Sequence, residues 1–298
     1  MTRRGWLLFT ALGLIWGVPY LLIRVAVREM PPVAVVFGRT AIGASLLLPF
    51  VLRRGHLPRL LARWRALLAF TLAEVALPWF FLSDAERRIS SSAAGLLVAC
   101  VPLAGALISR FSGRAEGRLG WTRLAGLGVG LAGVAALVGL DLSVQDGWAL
   151  AEMLLVVVGY AVGPIIVSRA LADLPSLEVV AVSLAATALA YAPLAAVQLP
   201  SRWPAAGALA AVGTLGVLCT AAAFLIFFEL IAEVGPIRAT VVTYLNPAVA
   251  VAVGVGLGGE RFTRGTALAF VLILAGSYLA TRAAVPDREP APAPAAEE

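Results

Sequence analysis

The chain of 298 residues contains no lysine; its 23 basic residues are all arginine. A phosphate-cradling P-loop needs a Gly-Lys-Ser/Thr core, so direct ATP use through such a loop is excluded. One histidine, His56, and two cysteines, Cys100 and Cys219, are too few for a transition-metal centre, a zinc site or a disulfide framework. No metal and no cofactor is expected. Charge is scarce too. Asp, Glu, Lys and Arg make up 13% of the chain and apolar residues 61%, against about 25% and 45–50% in soluble domains. The solvent for most of this surface is lipid, and the lipid bilayer is the first expected partner.

The apolar residues fall in runs that meet the length for a membrane helix, roughly 20 residues. The runs predict an all-α integral membrane protein with ten spans, near 5–23, 33–52, 66–83, 90–109, 121–140, 147–168, 176–198, 206–228, 236–257 and 265–282. They are continuous rather than alternating, which argues against barrel strands. Met1 to Pro19 imitates a secretory signal, but its apolar stretch continues past Tyr20 without a clear cleavage site and reads as a retained first helix. The Pro- and Ala-rich stretch 285–298 reads as a disordered cytoplasmic tail.

The net charge of +6 could suggest nucleic acid, but the arginines sit between apolar runs. With the N-terminus in the cytoplasm, Arg53, Arg54, Arg59, Arg63 and Arg65 share one inside segment, and Arg110, Arg114, Arg118 and Arg123 another. That is a positive-inside bias, not a nucleic-acid surface, and it puts both termini in the cytoplasm of an inner-membrane protein. Trp6, Trp64, Trp121, Trp148 and Trp203 near span ends read as an interfacial belt.

The chain repeats itself at a spacing of 145 residues. Pro19 matches Pro164, Arg24 matches Arg169, Ala94 matches Ala239 and Pro102 matches Pro247. The repeating unit holds five spans. Because five is odd, the second copy must enter from the opposite side, giving an inverted repeat of 1–140 and 141–284, a common build of secondary transporters.

Each matched proline lies within a span, where it frees the carbonyl four residues back. Such paired interruptions point to a cavity, because a free carbonyl in lipid needs a partner. Aromatic residues gather nearby. Trp16 and Tyr20 share a helical face beside Gly13 and Gly17; Tyr160 precedes Pro164, Trp79 follows Pro78, and Tyr244 precedes Asn246-Pro247. Their roles divide between pocket wall and bundle core. Asn246 either caps a freed carbonyl or touches substrate. Gly126, Gly130 and Gly133, and Gly254 with Gly258, read as helix-packing stripes.

Two charges lie within spans, Arg39 and Glu74. They either form a structural ion pair, or Glu74 takes and releases a proton beside Arg39. The corresponding positions in the second half, Leu184 and Cys219, are uncharged. Asp84, Glu86, Arg87, Arg88, Glu229, Glu233 and Glu260 read as solvated or snorkelling charges.

The chain resembles the EamA family of the drug/metabolite transporter superfamily over roughly 5–282. The resemblance rests on Trp16-Gly17-Val18-Pro19-Tyr20, Arg39, Glu86 to Ser90, Ala93 to Leu97 with Pro102, Val234-Gly235-Pro236-Ile237-Arg238-Ala239-Thr240, Asn246-Pro247 and Gly259-Glu260-Arg261. It implies ten helices, cytoplasmic termini, a central cavity and carriage of small metabolites, often export of amino acids or amphiphilic compounds. Glu74 is not carried over from it. The expected function is therefore a secondary transporter with a small-molecule substrate and protons as candidate coupling ions. A passive facilitator and a non-transporting sensor or scaffold are the alternatives. An enzyme is not expected, for no cluster of acids, His or Ser–Lys groups lies near one interface.

Overall fold

The computed structural model describes residues 2–111, 121–140, 146–198, 202–235 and 239–281, and every regular element among them is helical. The predicted tail, 285–298, and the motif residues Pro236, Ile237 and Arg238 lie outside the described residues. The apolar helices are α1 (Arg3–Val27), α2 (Pro32–Arg53), α3 (Trp64–Ala85), α4 (Ser91–Ile108), α5 (Leu124–Leu140), α6 (Gly147–Ala170), α7 (Ser176–Val197), α8 (Ala206–Val234), α9 (Val242–Gly256) and α10 (Arg264–Ala280). Seven are long and apolar enough to cross a membrane. Helices α5, α9 and α10 are apolar over shorter stretches of the described residues, and the helix that contains α5 runs over Trp121–Leu140, as expected for that span.

The described start of α9 is irregular. Pro247 cannot donate to the carbonyl of Thr243, and the chain before it tightens into a 3-10 turn, Thr240–Tyr244, with the Leu245 amide bonded to Val242 only three residues back. Pro19 likewise separates Arg3–Gly17 from Pro19–Val27, and Pro102 lies just past the break between Ser91–Val98 and Val101–Phe111. At that break the carbonyl of Ala99 accepts from the Ser277 hydroxyl at 2.7 Å. Pro164 differs from its counterpart Pro19, for α6 continues through it.

Two further irregularities contain no proline or glycine, although Pro78 follows the first and Gly216 precedes the second. Thr71–Ala76 in α3 and Val217–Ala222 in α8 are single π-turns. They lie 146 residues apart, almost the spacing of the sequence repeat. π-turns commonly mark functional sites.

Packing follows the small residues. A Cβ at Gly126 would stand 2.5 Å from the Ala280 amide nitrogen, and one at Gly133 2.8 Å from that of Ile273, so α5 and α10 approach backbone to backbone as their stripe predicts. Helix α2 packs on α7, α3 on α6, α4 on α9, and α1 runs antiparallel to α8. One apolar cluster joins the second half of α1 to α4, α6 and α8, and another joins α2, α3 and α7; Tyr160 borders both. A smaller third cluster joins the first half of α1 to the end of α8.

Candidate functional site

A polar centre lies where the first two clusters meet. Arg39 is 7% exposed. Its guanidinium carbon lies 3.6 Å from the ring centre of Trp79, and its Nε donates to Thr220 Oγ1 at 2.9 Å. A desolvated cation over an indole gains about 2 kcal/mol. Thr220 can accept because its own hydroxyl donates to Leu215 five residues back, the carbonyl that the π-turn makes available. The titratable groups around Arg39 are Tyr160, Cys219, Tyr20 and Glu86.

Glu74 does not pair with Arg39; no ion pair among the described residues contains either. Arg39, on α2, is bonded to Thr220 in the π-turn of α8. Glu74 lies in the turn of α3 and packs against Gly163 of α6, where a Cβ would overlap its Oε2. That oxygen is buried without a hydrogen-bond partner. Tyr160 has Arg39, Glu74, Trp79 and Glu86 as its polar neighbours, so an unpaired guanidinium and an unpaired carboxyl group both act on one tyrosine.

Of the expected wall residues, Tyr20, Trp79 and Tyr160 join this centre. Trp16 and Tyr244 do not. Trp16, one turn before Tyr20 on α1, packs its ring on Phe227 at 5.0 Å and Phe224 at 6.1 Å in the third cluster. Tyr244 donates to the Ser277 carbonyl at 3.2 Å. The room beside Gly13 and Gly17 is filled by Leu245 and Val249 of α9. Asn246 Oδ1 is buried without a partner. Two surface clefts, about 530 and 360 Å³, are lined by Ala62 to Ala66 with Ala170 and by α9 and α10 residues. Neither touches the polar centre, which is closed in this conformation.

Of the charges expected in solvent, Arg87 and Glu229 are exposed, while Glu260 and Arg88 are tied across helix ends. Near the end of α1, Arg24 donates to the Ile89 carbonyl at 2.9 Å and to Glu260 at 3.1 Å. Glu260 also accepts from the amides of Ser91 and Ser92, at 2.7 and 3.0 Å, and from both their hydroxyls. These are the orphan donors of the first turn of α4. Burial would raise the Glu260 carboxyl, but the Ser92 and Ser91 donors outweigh it and hold the group below the usual carboxylate range. Gly254 leaves room for this clamp, since a Cβ there would sit 2.5 Å from Glu260 Oε2 and from Ser92 Oγ. At the same end Arg88 bonds Asp84 at 2.9 Å and Glu152 of α6. At the opposite end of α1, Arg4 bonds Glu229 at 2.5 Å and approaches Glu233 to 3.7 Å.

The sequence contained Glu86, Ser90 and Glu260 as pieces of the family resemblance, yet their burial depends on helix ends converging from distant parts of the chain. Thr220, Ser91 and Ser92 drew no notice for the same reason.

A helical bundle that buries unpaired charges near the middle of apolar helices has the build of a membrane transport protein. The chain belongs to the EamA-like transporter family, which it matches over residues 3–139 and again over 147–282. The YedA proteins of Escherichia coli strains K12 and O157:H7, described as uncharacterized inner membrane transporters, are each 32% identical over 280 residues, covering 90% of this chain and 90% of theirs. A protein of known crystal structure is similar in fold, with TM-score 0.64 and 24% identity over 94% of this chain and 97% of its own.

Proposed function

We propose that this transporter is a secondary carrier of the inner membrane that exports small organic metabolites, amino acids or amphiphilic compounds, by alternating access between two inverted five-helix repeats, 1–140 and 141–284. The observation that carries the reading is that Arg39 and Glu74, neither in an ion pair, are both charged neighbours of Tyr160, with one Glu74 oxygen buried and unpartnered. Buried opposite charges without each other are costly. A solute bearing both an anionic and a cationic group would relieve both, and Trp79, Tyr20 and Tyr160 would enclose its apolar part.

The ion pairs support the inverted arrangement. Thr2 and Arg4 tie the start of α1 to Glu233 and Glu229 at the end of α8. Arg88 ties the end of α3 to Glu152 near the start of α6. Asp84 and Arg88 lie 145 residues before Glu229 and Glu233, so the two ties use matching places, with the sign kept between Asp84 and Glu229 and exchanged between Arg88 and Glu233. They stand at opposite ends of a 25-residue α1, about 37 Å apart at 1.5 Å per residue. Rocking of one repeat against the other would break one tie while keeping the other. Cytoplasmic termini would make the Arg4 cluster the inner tie.

The test is flux of amino acids and amphiphilic metabolites in proteoliposomes, with and without a proton gradient. Gradient-dependent flux is expected; flux indifferent to the gradient would identify a facilitator, and no flux from folded protein would end the carrier reading. Two variants sharpen it. Glu74→Gln is expected to remove the pH dependence assigned to that carboxyl group, and a wild-type pH profile would end its role in coupling. Gly163→Ala is expected to reduce flux at least tenfold by displacing the Glu74 carboxylate. Folding should survive, because alanine in a helix gains up to about 1 kcal/mol over glycine. Unchanged flux in this variant would show that Glu74 need not sit against α6.

A further inference from the structure

Glu86 follows the last residue of α3 and caps that helix. It is 2% exposed. Both carboxyl oxygens are buried and neither has a hydrogen-bond partner. The position is hostile to an anion, because the C-terminal end of a helix dipole is negative. Tyr20 and Arg24 face it from α1, Arg39 from α2, Tyr160 from α6 and Glu260 from the turn after α9. The two cations are already engaged. Arg24 holds Glu260 and the Ile89 carbonyl, while Arg39 holds Trp79 and Thr220. On its own segment, Asp84 and Arg88 are tied to each other. Burial, reinforced by Glu260 and opposed by Arg24 and Arg39, holds the Glu86 carboxyl well above its ordinary range.

We propose that Glu86 is a proton-binding site between the polar centre and the Glu260 clamp, kept neutral because Arg24 is committed to Glu260. The carboxyl group holds one proton in the closed conformation. When Glu260 leaves Arg24, the guanidinium becomes the counter-ion of Glu86; the Glu86 O–H bond then breaks, its electrons stay as carboxylate, and the proton passes to water on the clamp side. Glu86 and Glu74 are thus separate proton sites, twelve residues apart on one polypeptide segment, about 18 Å by helical rise. Only the use of that proton in transport rests on the carrier reading. Its binding does not.

The experiment is infrared titration of the purified full chain in lipid, following the carbonyl stretch of protonated carboxyl groups, on wild type, Glu86→Gln, Glu260→Gln and, as control, Glu74→Gln. At neutral pH the wild type is expected to show protonated-carboxyl absorption, of which Glu86→Gln removes one component, distinct from any component that Glu74→Gln removes. Glu260→Gln frees Arg24 and is expected to shift the titration of the Glu86 component toward lower pH. A spectrum unchanged by Glu86→Gln, or a titration unmoved by Glu260→Gln, overturns the proposal. Thermal unfolding keeps it testable should Glu260→Gln not fold. A raised folded-state pKa means that stability falls as pH rises from the ordinary carboxylate range to the folded value. Glu86→Gln, which imitates the neutral group, is expected to match or exceed wild-type stability at neutral pH and to flatten that fall. Lower stability of Glu86→Gln than of wild type at neutral pH would overturn the assignment. None of these readings needs a transported substrate, so their failure is separate from failure of the carrier reading.

Discussion

An Arg39→Leu variant is expected to remain folded and to lose at least thirtyfold in affinity for an anionic or zwitterionic substrate. The guanidinium is stacked on Trp79 and bonded once, to Thr220. Its removal forfeits about 2 kcal/mol of cation–π attraction. It also removes a buried cation with no carboxylate partner, and replacing buried charge by apolar volume is often neutral or stabilising. The two effects oppose, so the unfolding temperature should move little. Substrate binding has no such offset. Truncating one partner of a buried charge pair costs about 2–5 kcal/mol, which sets the thirtyfold floor. Arg39→Lys should fall between, because an ammonium group keeps the charge without the planar face or the Nε donor. Equilibrium binding of labelled amino acids to purified protein checks this. A Kd unchanged in Arg39→Leu would remove Arg39 from the substrate site and leave it a packing residue.

The fold was legible in the sequence to the depth that apolar run length and proline position can reach. Among the described residues, seven helices are long and apolar enough to span a membrane, and three further apolar helices lie where runs predicted spans. Three of the four matched prolines mark breaks, and the fourth does not because α6 continues through Pro164. A proline signals a lost hydrogen bond, but whether the helix breaks depends on what packs around it. The π-turns were invisible: neither Thr71–Ala76 nor Val217–Ala222 contains glycine or proline.

Those turns explain why the site was only half legible. Arg39 and Glu74 were recognisable as costly charges in apolar spans, and Tyr20, Trp79 and Tyr160 as aromatics near them. The partners were not. Glu74 lies in the first π-turn, and its counterpart at the repeat spacing, Cys219, lies in the second beside Thr220, which holds Arg39. The repeat keeps the backbone irregularity and changes the side chain it presents. A spacing argument finds matching residues, so it passes over positions where only the shape matches. Trp16 and Tyr20 part for another reason: helical periodicity puts them on one face, but one turn along α1 carries that face from the cluster shared with the end of α8 to the one shared with α4 and α6.

Glu260→Ala should give the largest loss of stability of any variant considered, about 3–5 kcal/mol, the usual result of leaving a buried charge network without one partner. The carboxylate accepts from two amides and two hydroxyls at the start of α4 and pairs with Arg24 of α1. Alanine leaves all of those donors in a space whose side chain was only 5% exposed. Unfolding in mild detergent, followed by intrinsic fluorescence, measures the loss; a change under 1 kcal/mol would mean that water replaces the carboxylate without strain. The pH dependence separates this clamp from its neighbour Glu86. Glu260 titrates below its ordinary range in the folded protein, so its stabilisation is full above an unfolded-state pKa of about 4.3 and is lost as pH falls through the folded value. Glu86 is shifted the other way, and its contribution weakens as pH rises. Wild type should therefore lose stability on both the acid and the neutral-to-alkaline side. Glu260→Gln should lose most of the acid limb, and Glu86→Gln most of the other. Two carboxyl groups at one end of the bundle would then be told apart by the sign of their slopes, without knowledge of the solute carried.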